Sequence, residues 1–427
     1  IAATRLCAHL GASVVATDSA PAEKLAPEVP GLPAKVVVGG HAGVEFTKAD
    51  LVVVSPGVPN FSALVDAETK GVPVIGELSL ASSLLKIPQL FVGGTNGKST
   101  TTSLLGDILK EAGVRTFVGG NLGTPASDAV AGRVSFDVAV LEVSSFQLER
   151  APGIKPKVSI LLNITEDHLD RYASFQDYAD AKGNAFASQN DGDFALIPEG
   201  DAACRRQAER GAGTIVEIGG PNADYAVVGP TIIERRTQQR FELGKSELHG
   251  RHNHLNAAFA VAAARAIGAP VLAVQQALLD FQPLPHRMAL VTELGGVRFY
   301  DDSKGTNVGA SVTALLGLSE TRGVLIAGGR DKLGSYEPLV DALKQKGRAV
   351  VLIGEAADKI AAAVGDSLPV VRAADMLGAV RSAFELAQPG DAVLLSPACS
   401  SFDMFKSYAD RGDQFADAAL SLKKELS

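Results

Sequence analysis

Tryptophan is absent from this 427-residue sequence, aromatic residues of all kinds make up 5% of it, and only three cysteines occur. Cys7, Cys204 and Cys399 are scattered and odd in number, which argues against a disulfide framework or a cysteine-based metal cluster and leaves free buried thiols as the plain reading. Long hydrophobic runs are lacking as well. The longest apolar stretch, 257–279, is broken by Arg265 and by Gly268-Ala269-Pro270, and no secretory or membrane-spanning segment is found. A soluble cytoplasmic protein with no membrane partner is expected. There is no basic excess either: 40 Lys and Arg face 48 Asp and Glu, a net charge of −8, which argues against nucleic-acid binding. An anionic substrate stays open, because a phosphate site needs only a few local donors.

What is present is a chain that is 46% hydrophobic with 44 glycines, a composition suited to α/β architecture with tight strand–helix turns. At roughly 100–200 residues per domain, this length predicts about two to four domains. Short β-branched runs at 13–17, 35–38, 51–55 and 72–75, separated by helical or Pro/Gly-rich pieces, read as buried parallel strands of a first Rossmann-like domain, 1–76. The chain opens directly in a helical pattern (Ile1, Leu6, Leu10), so a first strand and glycine loop are expected to precede it. A central α/β domain of mononucleotide-binding type is expected over 77–283. Its strands would fall at 90–93, 138–143 and 158–165, with antiparallel runs at 225–228, 231–235 and 239–243 and helices at 256–267 and 273–279. Pro283-Leu284-Pro285 is the expected linker to a third, Rossmann-like domain, 284–427. That domain would open with a hairpin turned at Gly295-Gly296 and continue with strand–turn–helix units from 324, 350 and 393.

Chemistry concentrates at three predicted strand ends. Gly94-Thr95-Asn96-Gly97-Lys98-Ser99-Thr100 stands between an apolar strand and a helix, where backbone N–H groups and a helix N-terminus hold phosphates. Lys98 would reach the β/γ-phosphates and the Ser99 hydroxyl would meet Mg²⁺. The standard loop requires glycine six positions before the lysine, where Val92 stands. A ligand-free helix cap is the plainer alternative, outweighed by strand, Gly-Lys-Ser and helix occurring together. Glu142 ends the strand at 138–143 and suits Mg²⁺, or else caps a helix. His168, one of seven histidines, sits among carboxylates after the strand at 158–165; it is read as a metal ligand or phosphate contact, with Asp167 and Asp170 as possible helix caps.

Together these residues resemble the Mur ligases, ATP-dependent amide-forming enzymes of peptidoglycan synthesis. The shortened Gly-x-x-Gly-Lys-Ser loop is the form used in that family, which accounts for Val92. Glu142-Val143-Ser144-Ser145-Phe146-Gln147-Leu148, the stretch 163–172, Gly250-Arg251-His252-Asn253-His254-Leu255-Asn256, Pro285-His286-Arg287, Asp302-Ser303-Lys304-Gly305-Thr306-Asn307 and the stretch 396–403 look like its D-glutamate-adding branch. The resemblance implies catalytic roles for Lys98, His168 and Lys182, with Lys182 carbamylated, although read from the sequence alone Lys182 is a helical surface lysine. It implies two Mg²⁺, held by Ser99 and Glu142 and by His168 and the Lys182 carbamate. ATP would be bound by Gly94, Thr95, Asn96, Gly97, Lys98, Ser99, Thr100, Asn256, Arg287, Asp302 and Lys304. The UDP-sugar UDP-N-acetylmuramoyl-L-alanine would lie along Asp18, Ser19, Ser55, Pro56, Gly57 and Asn121. D-glutamate would be received by Thr306, Lys332, Ser401, Phe402 and Tyr408. A monomer is expected, and closure of the third domain over ATP is implied.

Other readings are weaker. A folylpolyglutamate synthetase would share the loop and the modified lysine but lacks a UDP-binding first domain, against which Asp18 and Ser55-Pro56-Gly57 count. A P-loop GTPase or motor ATPase would carry a full Walker loop and switch motifs. A non-catalytic nucleotide-sugar binder would not need Lys98, Glu142, His168 and Lys182 together.

Overall fold

The computed structural model describes the whole chain except Glu28, Arg133, Leu169, Asp170, His249, Lys332, Leu333 and Ser427. It divides into two compact units. The first comprises Ile1–Ile164, Tyr178–Lys245 and Leu255–Asp280, and the second comprises Thr165–Asp177, Ser246–His254 and Phe281–Ser427.

In the first unit, β1 (Val15–Thr17) pairs in parallel with β2 (Lys35–Val37), and β3 (Val52–Val54) with β4 (Val74–Gly76), as two separate ladders. The larger sheet is built from β5 (Gln89–Gly93), β6 (Thr116–Gly120), β7 (Val138–Glu142), β8 (Val158–Leu161), β9 (Phe194–Pro198), β10 (Thr214–Gly219), β11 (Tyr225–Val228), β12 (Thr231–Glu234) and β13 (Gln239–Glu242). Its order is β13-β12-β11-β10-β9-β8-β5-β7-β6, with only β11–β12 and β12–β13 antiparallel. Strand β5 lies centrally between β7 and β8, parallel to both. All three are buried along their length, as continuous apolar strands covered on both faces must be. The three chemistry-bearing strand ends of the sequence therefore emerge side by side from one carboxyl edge. Strands β6, β9 and β10 were not read from the sequence. The predicted strand at 158–165 ends at Leu161, because the backbone beyond it turns to meet the loop after β5.

The second unit carries β14 (Ala289–Leu294), β15 (Val297–Asp301), β16 (Gly323–Gly328), β17 (Gly347–Ile353), β18 (Val370–Arg372) and β19 (Ala392–Leu395). The sheet order is β14-β15-β19-β16-β17-β18, parallel except for the β14–β15 hairpin. Strand β18 adds a short edge strand to the predicted set. Alternation within β16 and β17 divides the core: Leu325, Ala327, Val350 and Leu352 pack on one face, and Val324, Ile326, Val351 and Ile353 on the other. Helices Glu337–Lys346 and Met376–Leu386 cover opposite faces, with Leu339 and Leu343 in the first core and Ala379, Val380 and Ala383 in the second. The loops after β15, β16 and β19 leave the carboxyl edge, where an open α/β sheet places its ligand site.

Candidate active site

Phosphate-loop geometry follows from two glycines. Gly94 has φ 140° and Gly97 φ 85°, conformations an L side chain adopts only with strain. Space is tight as well: a Cβ on Gly97 would stand 2.3 Å from the Asn256 Oδ1, so that side chain would have to move, and one on Gly94 would stand 3.0 Å from the Leu162 Cβ. Gly97 is the N-cap of helix Lys98–Glu111 and supplies no capping oxygen to its first turn. That leaves the helix end suited to an external anion.

Side chains that sequence reading left without a role hold this loop. Asn163 Oδ1 accepts from the backbone N–H of Thr95 (3.2 Å) and of Asn96 (2.9 Å), and its Nδ2 donates to the Asn96 carbonyl (3.1 Å). The hydroxyls of Thr95 and Tyr178 lie 3.1 Å apart. Lys98 Nζ donates to the Thr95 carbonyl at 2.7 Å. Lys182 is 3% exposed, donates to the Gly94 carbonyl at 2.9 Å and lies 4.5 Å from the Tyr178 ring centroid, so it is no surface lysine.

Glu142, at the end of β7, is buried. Its Oε1 accepts from Asn121 Nδ2 at 2.6 Å, while Oε2 is buried without a hydrogen-bond partner. Asn121, expected along the UDP-sugar, thus meets the expected metal ligand. The helix-cap alternative for Glu142 fails, since Ser144 caps the next helix, Ser145–Glu149, in a capping box with Gln147. A buried carboxylate oxygen lacking a donor is costly and fits a cation. With the buried Ser99 hydroxyl, Glu142 fits an Mg²⁺ that takes its remaining ligands from phosphate and water. Among the described residues, no group of three or more His, Cys, Asp and Glu could hold a metal by itself.

Asp18 closes the turn after β1, its Oδ1 accepting from the Ala20 N–H at 2.8 Å; Ser19, Ser55, Pro56 and Gly57 are exposed. Ser99 and Thr100 are buried at the start of their helix.

In the second unit His168 takes a left-handed conformation (φ 57°), with its ring 3.7 Å from Asp167. Asp167 does not cap the following helix, Phe175–Gly183, whose Asp177 N–H is taken by the Ser174 hydroxyl. Its Oδ2 instead accepts from Asn307 Nδ2 at 3.1 Å. Asp170 and Lys332 lie outside the described residues. Arg287 stands between two left-handed residues, His286 (φ 60°) and Met288 (φ 50°). Asp302 is buried, and its Oδ2 accepts from the Ser396 hydroxyl at 2.7 Å. Burial pushes its carboxyl up to about 7, against the opposing pull of that hydroxyl and of Arg287. Lys304 Nζ lies 3.9 Å from the Tyr408 ring centroid, within cation–π range. The Thr306 N–H donates to the Lys304 carbonyl at 2.8 Å, Ser401 is buried, and Phe402 is 66% exposed. A cavity of about 380 Å³ opens between Thr165, Asp167, Asn307, Asp331, Tyr336 and Ala398.

A phosphate loop on a central parallel strand, a cation-ready carboxylate on the neighbouring strand and a second sheet with a polar carboxyl edge define a nucleotide-phosphate-using α/β enzyme. Comparison with known proteins narrows the class. Residues 92–264 match the Mur ligase middle domain and 286–399 the Mur ligase glutamate ligase domain. The chain is 42% identical over 431 residues to UDP-N-acetylmuramoylalanine–D-glutamate ligase of Geobacter metallireducens, covering 99% of this chain and 95% of that protein. It is 42% identical over 439 residues to the same-named protein of Geotalea daltonii, with the same coverage. In fold it is similar to MurF ligase from Thermotoga maritima in complex with ADP (TM-score 0.63, 17% identity, 90% of this chain and 100% of that one). It is also similar to UDP-N-acetylmuramate–alanine ligase MurC from the same organism (TM-score 0.62, 18% identity, 99% and 96%). The chain belongs to the Mur ligase family, among the UDP-N-acetylmuramoylalanine–D-glutamate ligases.

Proposed function

We propose that this chain joins D-glutamate to UDP-N-acetylmuramoyl-L-alanine with hydrolysis of ATP, in peptidoglycan precursor synthesis. The observation that carries the reading is full-length identity of 42% to ligases of that name, together with a glycine-built phosphate loop beside the buried, unpartnered oxygen of Glu142. A carboxylate is a poor electrophile. The alanyl carboxylate therefore attacks the γ-phosphorus of ATP, giving an acyl phosphate and ADP; the amine of D-glutamate then attacks the acyl carbon and phosphate leaves. Loop amides, the helix Lys98–Glu111 and Lys98 stabilise the charge that gathers on the phosphates. Ser99 and Glu142 are the residues that would hold Mg²⁺, which supplies further charge neutralisation when bound. His168 and a carbamylated Lys182 are proposed for a second Mg²⁺. Burial of Lys182 beside the loop supports a role there, and carbamylation would turn a cation into an oxygen donor.

Asn256, Arg287, Asp302 and Lys304 are assigned to the nucleotide, and Asp18, Ser19, Ser55, Pro56, Gly57 and Asn121 to the UDP-sugar. Thr306, Lys332, Ser401, Phe402 and Tyr408 are assigned to D-glutamate, whose two carboxylates call for cation and hydroxyl donors. A three-part division at 1–76, 77–283 and 284–427 is proposed, supported by the separate small ladders, nine-stranded sheet and six-stranded sheet. Among the described residues no helix is long and apolar enough to cross a membrane. A cytoplasmic site of action is proposed because ATP and a UDP-sugar are drawn from that compartment.

The test is phosphate release from ATP with UDP-N-acetylmuramoyl-L-alanine and either D-glutamate, L-glutamate or L-lysine. Release is expected with D-glutamate; release with L-lysine alone overturns the assignment. In the same assay Lys182→Ala should lose turnover and regain part of it with short-chain carboxylates, and a fully active variant removes the carbamate.

A further inference from the structure

Arg411 is fully buried, in the first turn of helix Tyr408–Leu426, and its three donor groups go to neutral oxygens. Nε donates to the Ser303 hydroxyl (3.0 Å), Nη2 to the Ser303 carbonyl (2.8 Å) and Nη1 to the Cys399 carbonyl (3.2 Å). The Ser303 hydroxyl in turn donates to the Tyr408 carbonyl at 2.7 Å, so one oxygen both accepts from the arginine and fixes the start of the helix. Nη1 also lies against the loop after β16, 3.3 Å from where a Cβ on Gly329 would stand. Loops from β15, β16 and β19 therefore converge on one guanidinium. Burial opposes the guanidinium charge, and the carboxylates of Asp403, Asp301 and Asp302 offset only part of that cost, so an arginine is an expensive way to fill this space. What a guanidinium alone supplies is several donors in one rigid plane.

We propose that the Arg411–Ser303 pair is a positioning device for the amine substrate. It sets the loop bearing Thr306, the segment bearing Ser401 and the backbone of Tyr408 in mutual register. The proposal rests on the D-glutamate assignment above. The nucleotide side of the same loop has its own anchors. The Asp302 N–H donates to the Leu395 carbonyl at 2.8 Å, and its carboxylate is held by Ser396. Lys304, whose Nζ lies over the Tyr408 ring, keeps a backbone anchor of its own, its N–H donating to the His286 carbonyl at 3.1 Å, so weakening the Arg411–Ser303 link acts on D-glutamate more than on ATP.

Steady-state kinetics of Ser303→Ala and Arg411→Lys, with melting curves for each, test this. Ser303→Ala removes the bond to Tyr408, and Arg411→Lys keeps the charge while losing the fork. Each is expected to raise KM for D-glutamate about tenfold while KM for ATP stays within about twofold. If the wild-type protein shows no D-glutamate-dependent phosphate release, the function reading fails. If the wild type is active but Ser303→Ala keeps its D-glutamate KM, or both KM values rise together, the positioning role is overturned. An Arg411→Lys protein that folds and matches wild type shows that charge rather than fork geometry matters, which also overturns it. Should Arg411→Lys fail to fold, Ser303→Ala, which keeps the arginine, decides alone.

Discussion

Asp302 carries a conflict that its neighbours only partly relieve. Burial raises its carboxyl to about 7, while the Ser396 hydroxyl and Arg287 favour the charged form. In the unfolded chain the same group titrates near ~3.9. Between these values the folded state holds a proton that the unfolded state has released, so stability falls as pH rises through this window and levels off above it. Asp302→Asn keeps an oxygen for Ser396 and removes the titration. The variant is expected to be more stable than wild type at pH 8, by roughly 1–3 kcal/mol, and to lose that advantage toward pH 4. Its KM for ATP should rise, because the assigned nucleotide contact is altered. Thermal melting across this pH range checks the sign; a wild-type protein that gains stability from pH 5 to pH 8 relative to Asp302→Asn contradicts it.

Helix Lys98–Glu111 is bounded by two left-handed glycines that do different work. Gly113 (φ 78°) ends the helix, and a Cβ there would meet nothing within 4 Å. Gly97 (φ 85°) begins it, with Asn256 Oδ1 where its Cβ would go. Gly113→Ala should therefore lose only the backbone term, about 1 kcal/mol, with nucleotide binding intact. Gly97→Ala adds a clash inside the phosphate loop and should lower ATP affinity at least about tenfold as well as stability. Calorimetric titration with ATP and chemical denaturation of both variants separates the two effects, and equal ATP affinity would remove the special role of Gly97. This helix was legible in the sequence because its signals are local: an apolar strand, glycines, Gly-Lys-Ser, then Leu104, Leu105, Ile108 and Leu109 on one face. Its straps were not. Asn163 and Tyr178 reach the loop across the fold, and a sequence shows no distance between positions 95 and 163 or 178. Burial of Lys182 was hidden for the same reason, as was that of Arg411, over which loops from three strands close.

At the scale of the whole molecule, the scarcity of cysteine becomes a measuring device. Cys204 is buried in the first unit and Cys399 in the second, whereas Cys7 is half-buried. Burial pushes the Cys204 thiol well above its ordinary range, reinforced by Asp201, and raises Cys399 to about 11 beside the Tyr336 hydroxyl at 3.3 Å. Burial raises Cys7 too. Since the thiolate is the reactive form, both buried thiols should be inert in the folded protein, and Cys7 should react first. The nine-stranded sheet lies in the first unit and the six-stranded sheet in the second, where it is packed on both faces by its own apolar clusters. Domains with separate cores open as separate cooperative units. Pulsed alkylation in increasing urea, with the labelled residues located by mass spectrometry, should therefore show Cys7 labelled without denaturant and Cys204 and Cys399 exposed in two distinct transitions. Coincident exposure of the two buried thiols at every urea concentration would mean that the chain unfolds as a single cooperative unit, despite the two compact bodies of its fold.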